Sequence, residues 1–506
     1  MEEEFEVAGR RRAMAAAGLL ALIGLYGWLV VSHRGSAVGS SDGAGYYNAA
    51  RALAAGHPVE PIERLAVPVA PGELLLFVPL GTVPGPTPGT ITSFYPPGLP
   101  LHFWAAAAVA GWDRGPYLVS PLAAAGALLL LYLVARELGA SRTGALAAAT
   151  VTAFLPVLNF QAVQPMSDTL AMFWALAAVW FALRSRAAPP WALAAGFAFG
   201  AGVLVRPASA ILVLPLLFAM TPNVKAWLFF VLGGLPCAAF QLAYDRACYG
   251  AVLRTGYGIG GAFADFAVGN FPARFLHYGY WIGRMMTPFV PAAFLGFLFL
   301  RRSRAGLRTR LLLGTWFFVF FLLYCFYKPY DAWWWTRYLL PGIPALAIGA
   351  VLFTEEMLVR LRARATAESR AAHWPAIAKT AAVVALLLVA LTGYRIGRRY
   401  RVLKIGREAS VYPETLRWAS QRVPGNALIV SMQFTGAMKA YGWGTFVRWD
   451  WMTAERFPEF RRRMEAAGYS FYALMLPFEV KAAASSLPGN WRYLESRGDV
   501  SLWRLD

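Results

Sequence analysis

Charged side chains are scarce in this chain of 506 residues. Asp, Glu, Lys and Arg make up 15% of it, where a soluble globular chain carries roughly 25%. Hydrophobic residues reach 58%. Those two figures exclude an ordinary soluble domain and a disordered chain. Acids are scarcer than bases, and 47 Lys+Arg less 27 Asp+Glu gives +20. That excess does not make a nucleic-acid binder. The basic residues sit in short clusters between long apolar runs, as in a multi-pass membrane protein. Cysteine is rare too. Cys237, Cys248 and Cys325 are far apart, which excludes a disulfide framework or a CxxC metal site. Walker A, GxGxxG with a following acid, HExxH and GxSxG are all missing. So is any Asp-x-Asp in the loops assigned below to the exterior, which argues against a metal-bound nucleotide-sugar donor. No metal and no cofactor is expected.

What the chain has is apolar length. A spanning helix needs about 20 mostly apolar residues. Runs of that kind lie near 13–33, 116–135, 144–160, 166–183, 191–205, 207–220, 226–245, 285–300, 311–327, 338–358 and 376–394. They predict about eleven transmembrane helices, several of them short. Arg10, Arg11 and Arg12 precede the first run. Its length and the following Ser32-His33-Arg34 predict a retained helix rather than a cleaved signal peptide.

Orientation follows from Lys and Arg in the short loops. With the N-terminus cytoplasmic, the clusters Arg136/Arg142, Arg184/Arg186, Arg301-Arg302-Ser303-Arg304 through Arg310, and Arg360/Arg362/Arg364/Arg370 all fall inside. This holds only if the apolar segment 97–112 lies in the interface without crossing. The exterior set is then the loop 34–115, the turn Gln164–Asp168, the tip at Arg206, the loop 246–284, the loop 328–337, and everything after 395. One cluster disagrees: Arg395, Arg398, Arg399, Arg401, Lys404 and Arg407 are placed outside. A long translocated domain overrides such local charge.

The last hundred residues change character. Ala427–Met432 and Phe471–Leu476 read as buried strands, Glu455–Gly468 as an amphipathic helix ended by glycine, and Trp491–Leu505 as a terminal strand pair. The expected organisation is a transmembrane domain over 1–400, with a first exterior loop at 34–115, and a small extracytoplasmic α/β domain over 401–506.

Five short stretches could carry chemistry. Ser41-Asp42-Gly43-Ala44-Gly45-Tyr46-Tyr47-Asn48-Ala49-Ala50-Arg51 follows the first helix. Asp42 there is either a base facing the interface or an N-cap. Phe94-Tyr95-Pro96-Pro97 opens a short apolar helix. Gln164-Pro165-Met166-Ser167-Asp168 puts an acid at an exterior mouth, again a possible cap. Val205-Arg206-Pro207 sets an arginine between two apolar runs, to bind a ligand or to snorkel. Lys328-Pro329-Tyr330-Asp331-Ala332-Trp333-Trp334-Trp335-Thr336-Arg337-Tyr338 is an aromatic belt or a phosphate clamp.

In this order the five stretches resemble the GT-C glycosyltransferases, and more narrowly glycosyltransferase family 39, with its protein O-mannosyltransferase and lipid A aminoarabinose transferase relatives. The resemblance covers roughly residues 12–400. It rests on Asp42 with Tyr47-Asn48-Ala49-Ala50-Arg51, on Pro96-Pro97, Asp168 and Arg206-Pro207, and on Arg337 to Pro344 as an "RYLLPxxP" helix start. It departs in two places from the aminoarabinose transferases. They have an arginine where Gly45 stands and a lysine where Tyr95 stands.

The resemblance implies an inverting transfer of a sugar from a polyprenyl-phosphate donor to an extracytoplasmic hydroxyl of a glycolipid, polysaccharide or protein. Asp42 would be the base and Asp168 would orient donor or acceptor hydroxyls. Arg206, Lys328 and Arg337 would hold the phosphate. Tyr46, Tyr47 and Tyr338 would line the sugar pocket, with Arg51 and Tyr95 also touching substrate. The implied setting is a bacterial inner membrane, with no nucleic acid involved. The rival is a transporter or flippase of lipid-linked anionic saccharides. Transporters place charged sites at the bilayer midplane within paired repeats, whereas this chain keeps its acids in loops and shows no repeat. A scaffold role is the third and weakest reading.

Overall fold

The computed structural model describes residues 2–62, 70–300, 306–328, 331–367 and 373–506. Arg301 to Arg304, Pro329, Tyr330 and Arg370 lie outside the described residues. The chain divides into two compact units. One comprises 1–34, 117–239 and 264–406, and the other 35–116, 240–263 and 407–506.

The first unit is a helical bundle. Its helices include Glu2–Ser32, Asp168–Arg184, Trp191–Val205, Gly306–Cys325 and Trp374–Arg399, with Gly115–Glu137 from residue 117 on and Val224–Tyr249 as far as residue 239. Three further pairs are bent: Arg142–Ala153 with Pro156–Ala162 by 67°, Val268–Met286 with Phe289–Phe299 by 106°, and Trp333–Leu339 with Ile343–Thr366 by 79°. Five of the described helices are long and apolar enough to cross a membrane, or up to eight if each bent pair is one span. The chain is a multi-pass membrane protein. The expected eleven spans are not all full-length helices. The runs at 191–205 and 207–219 form shorter apolar helices, and Gly98–Ala110 is another. Its 13 residues reach about 20 Å at 1.5 Å each, too little for a bilayer core.

Small residues bring the bundle's helices together. A Cβ at Gly196 would lie 1.8 Å from the Phe230 carbonyl oxygen, and one at Gly233 1.9 Å from that of Leu193. Trp191–Val205 and Val224–Tyr249 therefore meet backbone to backbone. Beside that crossing lies an apolar hollow of about 520 Å³, lined by Pro190, Trp191, Phe197, Leu232 and Pro236 among others. It carries no reacting group.

Most of the described basic clusters gather at one end of the bundle. Arg184 pairs with Glu137 at 3.1 Å. The Ser141 amide donates to Glu355 Oε2 at 3.0 Å. Arg186 donates to the Ala219 carbonyl at 2.6 Å, and Arg308 to that of Phe218 at 2.9 Å. Two arginines from distant parts of the chain, Arg186 after one helix and Arg308 in the first turn of Gly306–Cys325, thus satisfy the open carbonyls of one helix C-terminus. Asp168 stands at the other end of the 17-residue helix Asp168–Arg184, about 25 Å away along its axis. Tyr400 packs on Trp333 with ring centroids 5.3 Å apart. The start of the discordant cluster after Arg395 therefore lies at the Asp168 end, near the Trp333–Leu339 turn.

The second unit joins three pieces of chain. In the first loop, β1 (Val59–Pro61), β2 (Thr82–Pro84) and β3 (Thr90–Ser93) form an antiparallel sheet in the order β1-β3-β2. Strands of three or four residues carry no readable periodicity, and the sequence reading has only a loop here. The C-terminal part holds β4 (Ala427–Val430), β5 (Thr445–Val447), β6 (Ser470–Met475), β7 (Trp491–Arg497) and β8 (Val500–Leu505). Their order is β5-β4-β6-β8-β7. β5, β4 and β6 run parallel, and β8 and β7 close the edge antiparallel. Helix Phe457–Ala466 ends at Gly468, whose φ of +86° only glycine adopts without strain.

The sheet's core also takes in the first loop. Leu76, Phe77, Val78 and Ile91 are buried with Leu428, Val430, Phe457 and Phe471. The Arg448 amide donates to the Leu76 carbonyl at 2.8 Å. The division expected at 400/401 falls instead after Gly406, and 35–116 and 240–263 go with the C-terminal part. The physical reason is burial: the loop's apolar residues are covered by sheet residues more than 300 positions away.

Candidate active site

In the second unit, helix Ser41–Ala54 begins one residue before Asp42. Ser40 flanks it with φ +56° and makes no side-chain cap. Asp42 is therefore not the N-cap. Its Oδ1 accepts the Tyr95 hydroxyl at 2.6 Å, and the Ser41 hydroxyl lies 2.8 Å from the same Tyr95 oxygen. The Tyr46 ring stands 4.3 Å from that of Tyr95. The structure thus brings Asp42, Tyr46 and Tyr95 together. Burial, with the Asp42 carboxylate beside it, holds the Tyr95 phenol well above its ordinary value.

One turn further on, Tyr47 meets Trp112 edge-on at 5.7 Å. Burial raises its phenol, Arg51 opposes that shift, and Asp113 adds to it. Arg51 donates to the Ala440 carbonyl at 3.4 Å, and Asn48 to that of Gly436 at 3.0 Å. This face of the helix, Arg51 included, is held by helix Thr435–Tyr441.

In the first unit, Asp168 is fully buried. Its Oδ1 accepts from Arg206 Nη1 at 2.6 Å, while Oδ2 has no hydrogen-bond partner among the described residues. Asp168 begins its helix but bonds a side chain from the break after Val205. The Arg206 guanidinium carbon stands 5.1 Å from the Tyr338 ring centroid, and that of Arg337 5.3 Å from the same ring and 4.6 Å from Trp335. Tyr324 stacks on Tyr338 at 4.7 Å. Two guanidiniums and one carboxylate gather around Tyr338, and among the described residues the buried Asp168 Oδ2 is open to a donor. Such a cluster suits an anion that also carries hydroxyl groups.

Lys328 is placed otherwise. Its ammonium lies 3.5 Å from Asp265, and its side chain is 56% exposed. Sequence reasoning missed Ser41 and Tyr257 beside Tyr95, and Tyr324 and Trp335 beside Tyr338. Ser41 and Trp335 had a signal, Ser41 as the start of the first stretch and Trp335 in its run of three tryptophans. Among the described residues, no group of three or more His, Cys, Asp or Glu is placed to hold a metal ion.

The fold is that of the GT-C glycosyltransferases. The model of the dolichyl-phosphate-mannose-protein mannosyltransferase family matches residues 95–241. No curated protein sequence matches. Among solved structures, the chain is similar to ArnT from Cupriavidus metallidurans bound to undecaprenyl phosphate, at 13% identity over 96% of this chain and 97% of that one, with a TM-score of 0.56. It is similar also to the oligosaccharyltransferase AglB from Archaeoglobus fulgidus, in complex with an inhibitory peptide and a dolichol-phosphate, at 13% identity over 95% and 74%, with a TM-score of 0.52. A third is the arabinofuranosyltransferase AftD from Mycobacteria, at 15% identity over 96% and 41%, with a TM-score of 0.53.

Proposed function

We propose that the protein is a membrane glycosyltransferase that moves a sugar from a polyprenyl-phosphate donor to an extracytoplasmic hydroxyl, with inversion at the anomeric carbon. The observation that carries this reading is the cluster at Tyr338. Arg206 and Arg337 share one ring, and Asp168 beside Arg206 keeps a buried oxygen that has no donor among the described residues. In the reaction, the acceptor oxygen attacks the anomeric carbon as its proton passes to the Asp42 carboxylate. The bond from that carbon to the phosphate oxygen breaks, and the lipid phosphate leaves with its charge held by Arg206 and Arg337. Asp168 Oδ2 accepts a sugar hydroxyl. A protein, polysaccharide or glycolipid hydroxyl serves equally as acceptor in this chemistry. When purified protein receives a polyprenyl-phosphate sugar and an acceptor, free polyprenyl phosphate appears. A flippase would return the donor intact, and that result would refute the reading.

The proposed orientation puts the N-terminus in the cytoplasm of a bacterial inner membrane, and the Asp168 end and residues 401–506 outside. In a background lacking the three native cysteines, a cysteine at Arg114 is labelled by an impermeant thiol reagent in intact cells, and one at Arg142 is not. The reverse pattern would overturn the orientation.

A further inference from the structure

Tyr95 is 4% exposed and bonds to Asp42 across 53 positions of sequence. Its ring is held from several sides. Tyr46 lies 4.3 Å away and Phe94 5.0 Å. Gly45 forms another wall, since a Cβ there would stand 2.4 Å from Tyr95 Cε2. Gly81, at φ +89°, backs Gly45 so closely that its own Cβ would lie 2.7 Å from Gly45 Cα and from the Ser41 carbonyl oxygen. Only glycine fits either position, and together they make the slot through which the phenol reaches the carboxylate.

The proton inventory fixes the direction of the contacts. A tyrosine hydroxyl has one proton, and Tyr95 gives it to Asp42 Oδ1 at 2.6 Å. The Ser41 hydroxyl, 2.8 Å from the Tyr95 oxygen, must then be the donor in that contact. The order is Ser41 to Tyr95 to Asp42. Ser40, strained at φ +56°, fixes the backbone turn from which Ser41 projects, as strained residues often do at working sites. Burial and the neighbouring carboxylate keep the phenol protonated, so Tyr95 donates throughout.

We infer that Tyr95, oriented by Ser41 and seated by Gly45 and Gly81, is a positioning residue that fixes the Asp42 carboxylate for proton transfer. This rests on the reading of Asp42 as the base. Tyr95 acts through Asp42, so its hydroxyl matters only while Asp42 is a carboxylate.

A double-mutant cycle on the full-length purified protein tests this. Tyr95→Phe keeps the ring and its packing. We expect kcat to fall about 10–100-fold, as for loss of a hydrogen bond to a charged group, with donor KM unchanged. In an Asp42→Asn background the same change has no further effect on kcat. Ser41→Ala leaves the Tyr95 ring in place, lowers kcat less, and is also silent in that background. Undiminished kcat in Tyr95→Phe, or equal losses in both backgrounds, would overturn the inference and leave Asp42 as base. Normal turnover by Asp42→Asn alone would remove the base itself, and the positioning role with it.

Discussion

Asp42→Asn lowers turnover by about 10²–10⁴-fold, the usual cost of losing a general base. The substitution is nearly isosteric, and Tyr95 can still donate to the remaining oxygen. Folding and donor affinity therefore stay close to those of the unaltered protein. What is lost is the capacity to take the acceptor's proton. The signature is a fall in kcat with donor KM preserved, measured beside a melting curve. A variant with near-normal turnover would mean that the carboxylate serves only the start of its helix.

The second large effect is at the buried ion pair. Arg206→Ala takes its ion-pair partner from the Asp168 carboxylate in a fully buried position. Removing one member of such a pair costs about 3–5 kcal/mol, so this variant loses stability as well as activity. Arg206→Ala combined with Asp168→Ala recovers much of the stability, because no buried charge is left, but none of the activity. Arg337 separates the two effects. Arg337→Lys keeps the charge but not the planar fork or the stacking on Trp335 and Tyr338. It lowers kcat/KM for the lipid donor by about tenfold or more while the melting temperature holds. If Arg337→Lys transfers sugar normally, Arg337 does not hold the phosphate.

The helices were legible wherever an apolar run was long. Gly115–Glu137 and Trp374–Arg399 lie where the sequence places them, as does the apolar span Arg12–Ser32, though its helix starts earlier, at Glu2. The short proline-led helix Gly98–Ala110 and the strands β4, β6, β7 and β8 were legible too. Helix Phe271–Met286 was not. It is amphipathic, with Arg274 buried and Leu276 and Tyr280 exposed, and no run of apolar residues marks it. The candidate site was legible as residue types in loops. Asp168, Arg206 and Arg337 announce themselves as charges beside apolar helices. Their partners were not legible, because partners are set by packing. That Asp42 faces Tyr95 depends on the absence of side chains at Gly45 and Gly81. That Lys328 goes to Asp265, and Arg51 to Ala440, depends on contacts 63 and 389 residues apart in sequence.

The central claim is that this protein breaks the bond between a sugar and a lipid phosphate. The most direct measurement follows a polyprenyl-phosphate sugar of known anomeric configuration, radiolabelled in the sugar, with purified protein in lipid nanodiscs and a hydroxyl acceptor. The account predicts one polyprenyl phosphate released per sugar transferred, and a product glycoside of opposite anomeric configuration. Vectorial movement of the intact labelled donor in sealed proteoliposomes, with no polyprenyl phosphate released in either system, would contradict it.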